Sequence, residues 1–374
     1  MIEIRQVSTK KEQKDFLRFP LNLYKNNPYF VPPLYGDEKA IFNKNYMYYD
    51  QAEAVYFNAY DNGKMVGRIS GILQRASNAK WGQNRVRFTR FDSINDQKVA
   101  SALFGAVENW AKSKNAEEIV GPLGFSDLER EGLLIEGFDQ LSTFEEQYNF
   151  EYYQELIENC GYEKDVDWLE RKVRVPNGGI DPRIAVVTAE LMKKYGLRFA
   201  SAKNTRDFLK KYVDQIFDIW DETYGKIYGT VPFTENVKRS MLANFKLVID
   251  LRFIAAVVDE NDRIVAFGVV FPSMSKAVQK SGGRLTPACL IRLLRDIKKP
   301  KIVDMALIGV LDEYKNRGVA MALVSVFGDR LARYNVDYAE TNLMLENNSP
   351  IQNLWKRFET EQHKRRRCFI KKIR

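Results

Sequence analysis

The chain has 374 residues, 45% of them hydrophobic and 13% aromatic, and a formal net charge of +9. This length favours two domains over a single core, and the composition is typical of a packed globular protein. The single histidine, His363, excludes a multi-histidine metal site and argues against a Ser-His-Asp triad. Three scattered cysteines without a C-x-x-C pair argue against a disulfide framework and a structural zinc site, and they favour the cytoplasm.

Much of the positive charge lies at the C-terminus. Residues 364–374, KRRRCFIKKIR, carry seven basic and no acidic side chains, which leaves a net charge of +2 for the rest. We expect an edge strand at Cys368–Ile370 whose charges prevent edge-to-edge pairing, with attraction of a polyanionic ligand as the alternative. No nucleic-acid-binding motif accompanies the basic residues, so a nucleic-acid partner is not expected. No apolar run reaches about 18 residues, so a membrane partner is not expected either.

The first half of the chain predicts one α/β unit. The N-terminal residues alternate like a strand, and residues 54–73 predict a hairpin around an Asp-Asn-Gly turn. A strand at 85–95 precedes a helix at 96–114, in which apolar residues recur at helical spacing. A strand at 117–123 follows, and then an extra segment, a helix and a closing strand.

The second half repeats this order. A hairpin at 251–271, a strand at 301–311, a helix at 318–334 and a strand at 337–345 are followed by a last helix and a closing strand. The Pro- and Gly-rich stretch 175–183 is typical of a linker. We therefore predict two tandem domains, residues 1–175 and 176–374.

The turn between strand and helix in the second half carries a recognisable motif. It reads Lys315-Asn316-Arg317-Gly318-Val319-Ala320. In this strand-turn-helix context it resembles the signature of the GNAT superfamily of acyl-CoA-dependent N-acyltransferases: Gln or Arg, two residues, Gly, one residue, then Gly or Ala. The chain departs from it at the first position, where Lys stands, and only the C-terminal half has the motif.

The resemblance implies a fold and an activity. The fold class is α/β (α+β), with two tandem GNAT-like domains, each a mixed, mostly antiparallel sheet flanked by helices. The activity is acyl transfer from acetyl-CoA or another acyl-CoA to a small-molecule or peptide amine, without a metal. A homodimer is left open, and a catalytically silent ligand- or CoA-binding protein that keeps the fold is the alternative.

The resemblance also implies the residues that bind CoA. Main-chain N–H groups at the start of the helix would hold the pyrophosphate, since a helix N-terminus attracts anions. The preceding strand would hold the pantetheine arm through its main chain. The CoA-binding residues expected are Ile308, Val310, Lys315, Asn316, Arg317, Gly318, Val319, Ala320 and Asn348.

The catalytic residues are less completely matched. Asp304, on the strand before the motif, is the candidate general base, with Glu340 and Asp337 on the next strand as alternatives. Family members often carry a tyrosine that serves as the general acid seven residues after the asparagine that matches Asn348. At that position the chain has Trp355. An indole N–H is not a useful proton donor. The thiolate would then leave unaided, another residue such as Tyr338 would serve, or this half would no longer be an efficient acetyltransferase.

The corresponding turn of the first half, FDSINDQKVA, lacks glycine. Asp92 and Asp96 lie where a pyrophosphate would bind, and their charges would repel it. We predict that the first half does not bind CoA. Residues 225–236 and 274–300 are the expected places for acceptor contacts, by position alone.

Overall fold

A computed structural model describes residues 1–176, 178–245 and 250–373 of the chain. Asn177 of the predicted linker and Arg374 of the basic tail lie outside the described residues. None of the helices within these ranges combines the length and hydropathy needed to cross a bilayer.

The elements follow in chain order. The β-strands are β1 (Ile2–Gln6), β2 (Ala52–Asp61), β3 (Lys64–Gln74), β4 (Arg85–Ser93), β5 (Glu118–Gly121), β6 (Leu133–Glu136), β7 (Glu163–Arg174), β8 (Arg198–Phe199), β9 (Ile254–Val258), β10 (Ile264–Pro272), β11 (Ile302–Val310), β12 (Tyr338–Thr341), β13 (Met344–Leu345) and β14 (Thr360–Lys372). The α-helices are α1 (Lys10–Leu23), α2 (Tyr35–Ala40), α3 (Arg75–Trp81), α4 (Gln97–Ser113), α5 (Tyr152–Glu158), α6 (Pro182–Lys194), α7 (Thr205–Tyr224), α8 (Glu235–Phe245), α9 (Ser275–Lys280), α10 (Pro287–Lys298), α11 (Val319–Arg333) and α12 (Ser349–Trp355).

The chain forms two compact units. Unit 1 comprises Met1–Leu169, Met274–Leu293 and His363–Arg374, and unit 2 comprises Glu170–Ser273 and Leu294–Gln362. Each unit therefore draws on segments that are far apart in the sequence.

Unit 1 is built on a sheet with the strand order β1-β2-β3-β4-β5-β14. Its strands are antiparallel except β4 and β5, where residues 85–87 pair in parallel with residues 118–120. Asn62 and Gly63 join β2 to β3 with φ of 48° and 77°, and two positive φ values are what a tight hairpin turn requires. The mixed, mostly antiparallel sheet predicted for this half is confirmed.

Unit 2 repeats the plan with the strand order β7-β12-β11-β10-β9-β8. Here β11 and β12 are the parallel pair, from Ile302↔Tyr338 to Met305↔Thr341. α11 packs on this sheet because Gly268 of β10 leaves room for the Phe327 ring. A Cβ at Gly268 would lie 2.7 Å from Phe327 Cε2. The predicted strand-helix-strand order 301–345 is confirmed.

The basic C-terminal segment is not an exposed edge, and this expectation was wrong. In unit 1, β14 pairs with both β5 and β6, and Arg366 and Cys368 are buried. Arg367 Nε lies 2.9 Å from Asp167 Oδ1, and Lys371 Nζ lies 2.7 Å from Glu108 Oε1. Because β14 pairs within the sheet and Arg367 and Lys371 meet carboxylates there, the segment is part of the unit 1 sheet and not a free polycation.

The capping box of α1 generates a prediction about acid stability. Glu12 Oε2 accepts hydrogen bonds from the Thr9 N–H at 2.9 Å and the Ser8 N–H at 3.0 Å, and these bonds hold the pKa of Glu12 at about 2. A carboxyl whose folded pKa is lowered stabilises the fold above its unfolded pKa, and that stabilisation is lost as the pH falls towards the folded value. Glu12→Gln should therefore reduce the loss of unfolding free energy between about pH 5 and pH 3.

Urea denaturation at several pH values measures this difference. Because glutamine can also complete a capping box, the variant should keep α1 at neutral pH. Equal pH dependence in the wild type and the variant would contradict the interpretation.

Candidate functional site

In unit 2, β11 continues after β12 has ended. The parallel pairing stops at Met305↔Thr341, whereas the antiparallel pairing of β11 with β10 extends to Val310. The register with β10 skips Ala306, because Val270 faces Met305 and Val269 faces Leu307. Such a bulge bends a strand and increases its twist. We call residues 306–310, where β11 pairs with no strand on its β12 side within the described part of the chain, the β11 splay.

The splay presents main-chain groups on its open side. The N–H and C=O of one strand residue point to the same edge in antiparallel pairing. The Leu311 N–H donates to Val265 O, on the β10 side, at 3.0 Å, so the groups of Val310 face the open side. The N–H and C=O of Ile308 also face the open side, because both bond to a side chain of α7. These are the two residues expected to hold a pantetheine arm.

The side chain that contacts Ile308 is Tyr224, at the end of α7. The Ile308 N–H donates to Tyr224 Oη at 3.1 Å, and the Tyr224 hydroxyl donates to Ile308 O at 3.2 Å. The end of α7 lies directly against β11, since a Cβ at Gly309 would lie 2.9 Å from Thr223 Oγ1. Only its place on an amphipathic helix marks Tyr224 in the sequence, and the contact with Ile308 is not predicted from it.

The turn before α11 has the backbone conformation of a tight helix entry. Gly318 is the N-cap residue with φ of 76°, and Asn316 before it has φ of 64°. A Cβ at Gly318 would also lie 2.5 Å from Leu191 Cδ1. The glycine is thus required by the fold itself, in addition to the role expected from the motif. The N–H groups of Val319 and Ala320, in the first turn, have no partner within the helix.

The basic residues of the motif are held by neighbouring groups. Lys315 Nζ lies 2.6 Å from Asp312 Oδ1, and Lys226 Nζ lies 2.8 Å from Asp312 Oδ2. Hydrogen bonds from these two lysines lower the pKa of Asp312 to about 2. The Arg317 guanidinium stacks at 5.0 Å over both the Tyr195 and the Tyr314 rings. The turn therefore carries both cations and carboxylates, since Glu313 beside Asp312 also lies 3.2 Å from an arginine, Arg263.

Two carboxylates lie side by side just before the splay. Asp304 and Glu340 are in register on β11 and β12 and are only 5% and 6% exposed. Burial raises the pKa of Tyr338 to about 12, with the charges of Glu340 and Asp304 as further causes. Asp337, the other predicted alternative, has a 65% exposed side chain located 3.8 Å from Lys301 Nζ. The structure thus brings Asp304 and Glu340 together and leaves Asp337 apart.

The last helix of unit 2 places the remaining predicted residues. Asn348 is the N-cap residue of α12, but its side chain makes no capping hydrogen bond. Trp355 ends the helix and is buried, with its indole Nε1 3.1 Å from Met344 Sδ. An indole in this setting supplies no proton to a leaving group.

The corresponding region of unit 1 is filled by its own side chains. Asp96 caps α4 by accepting a hydrogen bond from the Lys98 N–H at 2.8 Å. The Ser93 N–H donates to Tyr153 Oη at 2.9 Å, and the Tyr152 hydroxyl donates to Ser93 O at 2.8 Å. In unit 1, tyrosine hydroxyls and a carboxylate thus bond to main-chain groups whose counterparts in unit 2 lie in the splay and at the start of α11.

Asp92 of unit 1 is buried in a polar network. Its carboxylate accepts hydrogen bonds from Arg68 Nε at 2.8 Å and from the Tyr24 hydroxyl at 2.9 Å. Burial raises its pKa, against the opposing effect of Arg68. Asp92 is therefore a structural residue of unit 1 and is not presented to a ligand at the helix start.

Solved structures of similar fold align with the whole chain. A tandem GNAT protein from the clavulanic acid biosynthesis pathway aligns with a TM-score of 0.59 at 10% identity, over 100% of this chain and 99% of its own. The chain shares the fold of this tandem GNAT protein. A GCN5-related N-acetyltransferase from Sphaerobacter thermophilus aligns with a TM-score of 0.54 at 13% identity, over 100% and 96% of the two chains. The fold implied by the motif at residues 315–320 is thereby confirmed.

Two curated proteins are similar in sequence. Protein YghO of Escherichia coli (strain K12) is 28% identical over 378 residues, covering 99% of this chain and 95% of its own length. Bacterial ceramide synthase of Caulobacter vibrioides (strain NA1000 / CB15N) is 28% identical over 321 residues, covering 84% and 82% of the two. No family model matches the chain.

Proposed function

We propose that the protein is an acyl-CoA-dependent N-acyltransferase whose unit 2 binds CoA. The observation that carries this proposal is the β11 splay followed directly by the N-terminus of α11. A strand with open main-chain groups suits an amide-containing arm, and a helix N-terminus suits a pyrophosphate. Both features belong to one continuous strand-turn-helix segment, as one extended ligand requires.

In this proposal the motif binds the pyrophosphate through the main chain. The first-turn N–H groups of Val319 and Ala320 and the turn at Asn316 and Gly318 form the anion site, and Lys315 and Arg317 add positive charge. The pantetheine arm lies along the splay and bonds to Ile308 and Val310. Because the Tyr224 hydroxyl bonds to both main-chain groups of Ile308, it must give up those bonds when the arm binds.

The reaction joins an amine nitrogen to the acyl carbon and breaks the thioester bond. The amine must lose a proton, and the CoA sulfur leaves as a thiolate. We assign Asp304 as the general base, which takes the proton through an intervening water. Glu340 lies beside Asp304 and shares this proton. Trp355 gives the thiolate no proton, so the leaving group depends on solvent or on another side chain.

The name of one relative bears on the substrates. A ceramide is the amide of a fatty acid with a long-chain amino alcohol, and the relative from Caulobacter vibrioides carries the name of a ceramide synthase. This supports a long-chain acyl-CoA as donor and a lipid amine as acceptor, beside acetyl-CoA and small amines. A thiol-release assay that crosses these donors and acceptors tests the proposal, and amine-dependent release of CoA is the expected result.

A catalytically silent CoA-binding protein is the second candidate. Trp355 in place of a proton donor favours it. CoA binding without amine-dependent thiol release, across the donors and acceptors named above, would select this alternative.

The anion site at α11 predicts the effect of one charge. Ala320→Glu should weaken acyl-CoA binding by at least about tenfold, because two like charges about 4 Å apart repel strongly near a protein surface. The helix should persist, since an acidic side chain in the first turn favours the macrodipole. Ala320→Gln, of nearly equal size without the charge, is the matched control. Isothermal titration calorimetry measures both, and equal affinities in the two variants would contradict a pyrophosphate at this position.

The Tyr224 contact predicts a gain of affinity. Tyr224→Phe should bind acyl-CoA more tightly, by up to about tenfold, because the ligand no longer displaces hydrogen bonds worth about 1 kcal/mol each. Tyr212→Phe is the matched control, since it removes a hydroxyl from the same helix, one that bonds to Asp262 Oδ1 at 3.0 Å. Calorimetry of the two variants decides, and unchanged or weaker binding by Tyr224→Phe would show that the hydroxyl does not compete with the ligand.

The carboxylate pair predicts a loss of turnover without a loss of binding. Asp304→Asn should lower kcat by about 100-fold or more, the usual contribution of a general base, while the Kd for acyl-CoA stays unchanged. Glu340→Gln is the control for a general effect of removing one buried charge and should lower kcat less. If Asp304→Asn turns over at the wild-type rate, Asp304 is not the base.

A further inference from the structure

The helix α10 presents an apolar surface to solvent. Its inward side carries Cys289 and Leu293, which are four residues apart and pack with Ala277 in a small core of unit 1. Its other side carries Ile291 and Leu294, which are 69% and 65% exposed. A helix with one buried row and a second apolar row in water has a surface that some partner normally covers.

The exposed row is continuous. Leu290 is also exposed, and it lies four residues before Leu294, while Ile291 lies three residues before it. Side chains at these spacings are neighbours on a helix surface. Leu285, just ahead of the helix, is exposed as well. The result is a narrow aliphatic strip, defined here as the α10 strip: Leu290, Ile291 and Leu294.

The charges around the strip are nearly all positive. Residues 284–301 contain six basic side chains and one acidic side chain, Asp296. Arg295 follows Ile291 by four residues and Lys298 follows Leu294 by four, so both extend the rows of the strip, and both are exposed. Lys299 is exposed beside them. The cations therefore flank the aliphatic strip on the same helix.

We propose that α10 binds the surface of an anionic phospholipid membrane. An amphipathic helix with leucine and isoleucine on one face and lysine and arginine at its border lies in the plane of the headgroups, with its apolar face below them. Each cation near an anionic surface adds attraction that salt weakens. The excess of basic over acidic residues favours anionic lipid over a protein surface of mixed charge.

This attachment places α10 on the membrane surface and does not require a helix that spans the bilayer. It also goes beyond the proposed acyl transfer. Its test reads vesicle binding and not turnover, so the failure of one proposal is distinguishable from the failure of the other. The test is cosedimentation of the full chain with phosphatidylcholine vesicles that contain phosphatidylglycerol, compared with pure phosphatidylcholine. We expect binding to the anionic vesicles, and we expect added salt to weaken it.

Two double variants localise the binding. Ile291→Gln with Leu294→Gln should weaken it by about tenfold or more, because two aliphatic side chains no longer enter the lipid. Glutamine keeps the helix propensity, so α10 should persist. Val186→Gln with Val187→Gln removes two similarly exposed residues of α6, 62% and 57% exposed, and should leave binding unchanged. Circular dichroism confirms that both variants are folded.

Several outcomes would overturn the proposal. They are an absence of vesicle binding by the wild type, equal binding to pure phosphatidylcholine, or equal losses in the two double variants. Self-association that disappears with Ile291→Gln and Leu294→Gln would assign the α10 strip to a second copy of the chain instead. Charge reversal by Arg295→Glu with Lys298→Glu supports the proposal if it lowers vesicle binding and contradicts it if it does not.

Discussion

A strand that loses a neighbour midway must find other partners for its main-chain N–H and C=O groups, and β11 meets this constraint from residue 306 onward. The pairing with β12 stops at Met305, the bulge at Ala306 interrupts the register with β10, and the turn at Gly318 then directs the chain into α11. An open strand edge and an open helix N-terminus therefore follow each other within a short segment. The candidate CoA site of unit 2 depends on this combination.

The two units satisfy the same constraint in different ways. In unit 1, the N–H and C=O of Ser93 bond to Tyr153 and Tyr152, and Asp96 caps the following helix. Tyr153 is completely buried, so these bonds belong to a packed core. In unit 2, a single hydroxyl, that of Tyr224, bonds to Ile308 from a partly exposed position. Unit 1 thus keeps the fold without an open strand edge. In unit 2 the corresponding strand edge is covered at Ile308 by the side chain of Tyr224.

The sequence predicts the sheet of each half because period-two strands, an Asn-Gly turn and helical apolar spacing are local signals. The motif at residues 315–320 predicts the start of α11 for the same reason. Tyr224 and the pairing of Asp304 with Glu340 are not predictable in this way, since they arise from contacts between elements far apart in the chain. The expectation of an edge strand in the basic tail is wrong because composition does not reveal that Arg367 and Lys371 meet acidic partners within unit 1.

The most direct test of the account is the stoichiometry of CoA binding to the whole chain, measured by isothermal titration calorimetry. Among the described residues, unit 2 combines an open strand edge with a glycine-containing helix entry, whereas unit 1 fills the corresponding region with its own side chains. The account predicts one CoA per chain. Two bound molecules would show that the tyrosines and Asp96 of unit 1 do not exclude the ligand, and no binding would contradict the assignment of the site in unit 2.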